Sequence, residues 1–276
     1  MLIDNLKKLV IDNKANNYSK SIIINILKEY LQYPVLSYIY KEEKYQNFIF
    51  MGGSALRIIY KLPRLSEDLD FNLRDKNFDN LNLEEMAINI SQYFKTNWQI
   101  DINYKVQGNT RLYLKFPILK QLNIAEINDS DFLYIKIEPQ KEDFKDSETE
   151  LNPISKDSFN FICQSYNLKF LMTGKISAIL ERNWFKGKDN EIKIKGRDYY
   201  DLYWYLSQNI EPDYSNLKER FDIKNKQELK KALREQINKK VDAKQLFYDL
   251  ENFFPDQEFI KQFCQNYQLI MNKYLN

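Results

Sequence analysis

A chain of 276 residues is long enough for one large domain or two modest ones, and its 43% hydrophobic and 15% aromatic residues supply a substantial core. With 41 basic and 39 acidic side chains the formal charge is only +2, so any charged partner must be recognised by a local patch. There is no histidine, which excludes Ser-His-Asp and Cys-His mechanisms and His-ligated zinc, and Cys163 and Cys264 lie too far apart for a zinc or dithiol motif.

Both cysteines are expected as reduced core residues. No basic leader, long uncharged apolar run or lipidation signature is present, so a cytoplasmic protein that neither leaves the cell nor crosses a membrane is expected.

Residues 20–40, KSIIINILKEYLQYPVLSYIY, carry enough apolar side chains for one or two buried helices, with Pro34 breaking or restarting them. Phe48 to Met51 form a short apolar run that ends at Gly52 and Gly53, and Ser54 to Ile59 read as a helix closed by Pro63. Strand alternation resumes at Leu69 to Leu73. A helix over 84–95 and strands over 100–106, 111–116 and 132–138 follow, which predicts a mixed α/β sheet. The polar stretch from Gln140 to Asp157 reads as a loop at the sheet's edge, and Ser158 to Cys163 as a returning strand.

From Leu168 the period is helical, over 168–182, 198–206, 226–239, 243–254 and 258–275. The expected organisation is therefore an α/β domain over 1–166, with N-terminal helices and a mixed sheet, and a helical bundle over 167–276.

Asp68 and Asp70 stand two apart on a strand, so they share a face roughly 7 Å apart while Leu69 and Phe71 turn the other way. Such a pair suits a hard divalent cation shared with substrate phosphates. Upstream, Gly52 and Gly53 let backbone approach a phosphate, and a helix starting near Ser54 would aim its free N–H groups at the anion. Glu138, on one strand face with Lys136 and Tyr134, is a candidate third carboxylate, the alternative being a solvent-facing Lys-Glu pair.

On the helix LKFLMTGKISAILERN, Lys175 and Arg182 fall one above the other within an apolar stripe, where a cation needs an anionic ligand or a carboxylate. The alternative is snorkelling from the stripe's edge. Asp198 lies near the start of the next helix, in RDYYDL, where capping and an Arg197–Asp201 pair would also account for it. Lys186, Lys188, Lys193, Lys195 and Arg197 could line an RNA backbone, diluted by Asp189 and Glu191.

In order and wording, GGSALR, the R-x-S-x-D-L-D-F of Arg64 to Phe71, Lys175 with Arg182, and RDYYDL resemble the AbiEii family of nucleotidyltransferase toxins, of the DNA polymerase β-like superfamily, and the related MenT toxins. The resemblance covers about residues 20–210, with a longer Gly53-to-Asp68 spacing than in the simplest polymerase β-like proteins. It implies a polymerase β-like mixed sheet and a toxin of a toxin–antitoxin or phage-defence system, with its antitoxin encoded nearby. Such a toxin transfers nucleotides from an NTP, with Mg2+, onto an RNA such as the tRNA 3′ end.

Carried over, Asp68 and Asp70 would hold Mg2+, and Gly52, Gly53, Ser54 and Arg57 would bind the nucleotide with Ser66 beside the metal. Lys175 and Arg182 would meet the triphosphate, Asp198 would be a further essential acid, and the helical domain would bring Lys175 and Asp198 to the cleft. Two other readings stay open: transfer to a protein Ser or Tyr hydroxyl, including Ser66 itself, and a nucleotide- or partner-binding module without catalysis.

Overall fold

Leu2, Leu6 and Val10 recur at helical spacing, and in the computed structural model, which describes residues 2–108, 110–182 and 193–276 and only the backbone of Asp75, they form the buried stripe of α1 (Leu2–Ala15). Next, α2 (Lys20–Lys41) is one continuous helix, capped by Ser19, whose hydroxyl accepts from the Ile22 amide. Pro34 sits inside it without breaking it, contrary to the sequence expectation. The proline forfeits one N–H bond in the fourth turn, but 14 residues of α2 are buried, and that packing outweighs a local defect.

The sheet is assembled from β1 (Ile49–Met51), β2 (Asp68–Leu73), β3 (Asn103–Gln107), β4 (Arg111–Pro117), β5 (Phe132–Lys141), β6 (Thr149–Lys156) and β7 (Phe159–Tyr166), in the order β3-β4-β5-β2-β1-β7-β6. The helix α3 (Gly52–Ile58) joins β1 to β2, and α4 (Asp75–Asp79) and α5 (Leu83–Trp98) precede β3. Parallel and antiparallel pairs coexist: β1 runs antiparallel to β2 and parallel to β7, while β2 is parallel to β5. The expected mixed α/β sheet with N-terminal helices is what the chain forms.

One stretch differs. Within the segment expected to be a loop, Gln140 and Lys141 still belong to β5, and Thr149 to Lys156 form the edge strand β6. Its pattern hides the strand: Ile154 alone is buried, and Pro153 and the flanking polar residues are what an edge strand tolerates.

Alternation decides what each face carries. Leu69, Phe71 and Leu73 of β2, Leu112, Leu114 and Phe116 of β4, and Leu133, Ile135 and Ile137 of β5 join side chains of α1, α2 and α5 in one buried core. Phe71 lies 5.3 Å from Phe48 and 5.4 Å from Phe50, ring to ring, and Phe94 of α5 meets Phe116 at 4.9 Å.

Two compact units result, Met1–Asp143 with Thr149–Ser165, and Phe144–Glu148 with Tyr166–Asn276. The short segment belongs to the second unit for a visible reason: Phe144 packs edge-on against Tyr166 and Phe170, and the Lys145 main chain exchanges hydrogen bonds with the Asn216 amide.

The second unit is helical, with α6 (Leu168–Glu181), α7 (Gly196–Ser207), α8 (Tyr214–Phe221), α9 (Lys226–Lys240), α10 (Ala243–Leu250), α11 (Gln257–Gln265) and α12 (Tyr267–Leu275). Residues 258–275, expected as one helix, are two: Asn266 ends α11 with its amide on the Gln262 carbonyl, a local bond that competes with helix continuation. The short α8 was absent from the sequence reading, its cap Asp213 accepting from the Asn216 amide. Among the described residues no helix is long and apolar enough to cross a membrane.

Because Phe71 is wholly buried among aromatic rings, Phe71→Ala should lower unfolding free energy by about 3–5 kcal/mol. Urea titration of the purified chain, followed by far-UV circular dichroism, measures that loss.

Candidate active site

With Leu69 and Phe71 fixed in the core, Asp68 and Asp70 emerge on the opposite face of β2. In register, Asp68 stands beside Lys136 of β5, while Asp70 stands between Glu138 of β5 and Met51 of β1. Met51 leads directly into Gly52, whose φ of +73° is a left-handed conformation that a glycine adopts without strain. A side-chain carbon at Gly52 would run into the Asp70 carboxylate, so the turn's backbone lies directly against the acid pair.

One at Gly53 would strike the Arg64 guanidinium and come within 3.0 Å of the Ser66 hydroxyl. The helix expected from Ser54 thus starts two residues earlier, at Gly52.

The loop between α3 and β2 is held from both sides. Ser54 is fully buried, and its hydroxyl donates to the Asp68 carbonyl and pairs with the Ser66 hydroxyl at 2.9 Å, so its side chain braces the turn. Arg57 Nε donates to Glu29 of α2 at 2.9 Å, and its Nη1 reaches the Leu62 and Pro63 carbonyls, which makes it an anchor of the loop. Gln32 of α2 donates to the Ser66 carbonyl, and Lys28 pairs with Glu67 at 3.0 Å.

Lys136 links the acids of the two strands. Its Nζ lies 2.9 Å from Asp68 Oδ2 and 2.7 Å from Glu138 Oε2, and Arg111 of β4 closes on Glu138 Oε1 at 2.7 Å. Burial works against the Lys136 charge, but Asp68 and Glu138 hold its ammonium well above the usual range. Burial would likewise raise Glu138, yet Lys136 and Arg111 keep its carboxyl below the usual range. The Lys136–Glu138 pair foreseen from the sequence is therefore made, with Asp68 as a third member. Among the described residues no group of three or more Cys, Asp or Glu side chains is arranged to hold a metal ion.

A second charged cluster lies within the helical unit. Lys175 of α6 is held between Asp198 and Asp201 of α7, at 2.7 and 2.8 Å, and Arg182 Nη1 lies 2.6 Å from the other oxygen of Asp198. Both acids are buried, Asp201 completely, while Arg182 keeps 38% of its side chain exposed. Gly196 makes this placement possible: a side-chain carbon there would meet the Leu246 carbonyl at 2.8 Å, so only glycine lets α7 approach α10 this closely. Burial would raise the Asp198 carboxyl, but Lys175, Lys195 and Arg182 around it hold it far below its ordinary value. Burial pushes Lys195 down against the pull of Asp198.

The cations in the apolar stripe are thus partnered by carboxylates. A recess beside them is lined by Arg182, Lys193, Lys195 and Lys240. Of the basic run read as an RNA track, Lys186 and Lys188, with Asp189 and Glu191, lie outside the described residues. Arg197 is tied to Asp249 at 3.4 Å and stacks over Phe253 at 4.2 Å.

Three participants escaped sequence reasoning. Arg64 is buried to 2% exposure with its guanidinium at Gly53, and its one signal was its place in the R-x-S-x-D motif. Asp201 was assigned to a local pair although it holds Lys175. Arg111 reaches Glu138 only through the β4–β5 register, which no local pattern announces.

Two substitutions test this arrangement. Gly52→Ala forces a side chain onto Asp70 in a left-handed conformation and should lower the melting temperature, which a thermal scan measures. Asp198→Asn leaves Lys175 and Arg182 short of a buried counter-charge and should cost about 3–5 kcal/mol. Since the folded carboxyl of Asp198 titrates below its ordinary value, its stabilisation is complete above the ordinary carboxylate range and is lost as pH falls towards the folded value. The acid limb of a stability–pH profile should accordingly be flatter in Asp198→Asn than in the wild type.

Against known proteins, residues 35–276 match the family described as Nucleotidyl transferase AbiEii toxin, Type IV TA system. No curated protein matches the sequence. Among solved structures, the nucleotidyltransferase toxin MenT4 of Mycobacterium tuberculosis H37Rv is similar with a TM-score of 0.54 at 10% identity, over 98% of this chain and 89% of that one. JHP933 from Helicobacter pylori is similar at a TM-score of 0.49 and 16% identity, over 91% of each chain.

Proposed function

Since the chain belongs to the AbiEii family of nucleotidyltransferase toxins, we propose that its first unit carries a Mg2+-dependent transfer site, and that the protein acts as a toxin of a toxin–antitoxin or phage-defence system. Its substrates in this reading are an NTP and the 3′ end of an RNA, a tRNA first of all, and a nearby gene encodes its antitoxin. The observation that carries the reading is the contact of the Gly52 backbone with the Asp70 carboxylate, on the face that also presents Asp68.

The residues fit the metal. Asp68 and Asp70 offer oxygen donors alone, both are partly accessible, and Asp68 already draws a cation of the chain's own, the Lys136 ammonium. A divalent ion held there supplies charge neutralisation at the polyphosphate. The glycine turn lets main chain approach the phosphates without an intervening side chain. Glu138 is the third carboxylate of the face. With two cations on it and its carboxyl held low it is a weak base, and its part is to keep Lys136 and Arg111 beside the acid pair. In the second unit Asp198 holds Lys175 and Arg182 in place.

An RNA acceptor is favoured over a protein hydroxyl by the outer face of β3 to β5. Lys105, Tyr113, Lys136 and Asp68 form one cross-strand row from the sheet's edge to the acid pair, three strand spacings or roughly 14 Å long. Beside it run Lys115 and Tyr134, the latter 41% exposed. Cations interleaved with tyrosine rings suit a single strand, whose phosphates and bases they meet in turn.

Incubation with each of four α-labelled NTPs, total tRNA and a protein fraction, followed by gel separation, tests the reading. Label should enter RNA with one or more NTPs, and Asp68→Asn should abolish both transfer and growth inhibition. Lys105→Glu should weaken labelling of RNA, most at low salt, and make the labelling less sensitive to salt than in the wild type. Label in protein alone would favour the hydroxyl reading, and transfer retained by Asp68→Asn would remove the site.

A further inference from the structure

Lys136 occupies a position that its lysine chemistry makes consequential. It is a partly buried residue of β5 whose ammonium lies at contact distance from Asp68 of β2 and Glu138 of its own strand. Glu138 has a second cation, Arg111, on its other oxygen, so its charge stays compensated without the lysine. Asp68 is the acid at which the lysine sits where an incoming cation would bind. We propose that Lys136 is a built-in counter-ion of the acid pair, which holds Asp68 in the metal-free protein and must leave it before a divalent ion can bind.

The inference rests on the transferase reading above, since it takes Asp68 as a metal ligand. It adds a competition to that reading. A divalent ion on the Asp68 carboxylate and an ammonium 2.9 Å from the same oxygen repel each other strongly in a partly desolvated site, so the two exclude one another. Lys136 has the means to withdraw: its four-carbon stem is flexible, and Glu138 remains within its reach as an alternative anchor. Replacing the lysine by a neutral side chain removes the competitor and raises metal affinity. A lysine that merely props the carboxylate in a binding geometry would give the reverse.

The test is Mn2+ binding to the full-length, nucleotide-free protein, read from the loss of the free-ion electron paramagnetic resonance signal. Wild type, Lys136→Met, Lys136→Gln, Lys136→Arg and Asp68→Asn are compared, the glutamine variant guarding against a fold defect in the methionine one. The neutral variants should bind Mn2+ roughly tenfold more tightly or better, the arginine variant about as weakly as wild type, and Asp68→Asn should lose the site. Unchanged or weaker binding in both neutral variants, with binding still abolished by Asp68→Asn, overturns the competition and leaves the transferase reading standing. Absence of Asp68-dependent binding in every variant overturns both.

Discussion

The parity of β2 governs the first unit. Leu69 and Phe71 are committed to a core of aromatic and aliphatic side chains, so Asp68 and Asp70 have no choice of face. A one-residue slip would bury two carboxylates and expose two large apolar groups, a double penalty that no other pairing of β2 relieves. The core thus sets the direction of the polar residues, and the antiparallel pairing of β1 with β2 then brings Met51, and the glycine turn after it, to the side of Asp70. Gly52 has no side chain because the acid occupies that volume.

The surrounding supports address the same need. A loop of nine residues between Ile58 and Asp68 would be free to wander, yet Arg57, Ser54 and Gln32 tie it to α2 and to the turn. On α2, Lys28, Glu29 and Gln32 supply three of the tethers from successive turns of one helix. In the second unit a comparable economy operates with charge: Asp198 collects Lys175 and Arg182 from α6, and Asp201 shares Lys175, so a buried acid at a helix start is stabilised both by cations and by the N-terminal dipole.

What could be read from the sequence follows the range of each interaction. Alternation at 68–73 and the glycine pair at 52–53 are local signals, and they located the acid pair and the turn. The stripe position of Lys175 and Arg182 called for an anionic ligand or a carboxylate, and carboxylates stand there in Asp198 and Asp201. Edge strand β6 was hidden because a strand with a single buried residue has no alternation to detect, and the α11–α12 break because Asn266 sits within an otherwise helical pattern. Ser54 and Arg57 looked like ligand-binding groups but are committed to the Asp68 carbonyl and to Glu29, partners that only the folded chain supplies.

The absence of histidine acquires a meaning alongside these charges. Displacement at phosphorus asks little covalent work of a protein, and positioning and charge neutralisation carry most of it. An acid pair, a bare main-chain turn and well-placed cations satisfy that demand without a group that titrates near neutrality. Glu138 illustrates the same economy, because the lysine and arginine that lower its basicity also leave two cations at the edge of the acid pair. On the proposed chemistry, the first unit therefore works through charges set by the sheet's register, with the ammonium of Lys136 standing on the Asp68 carboxylate until a divalent ion takes its place.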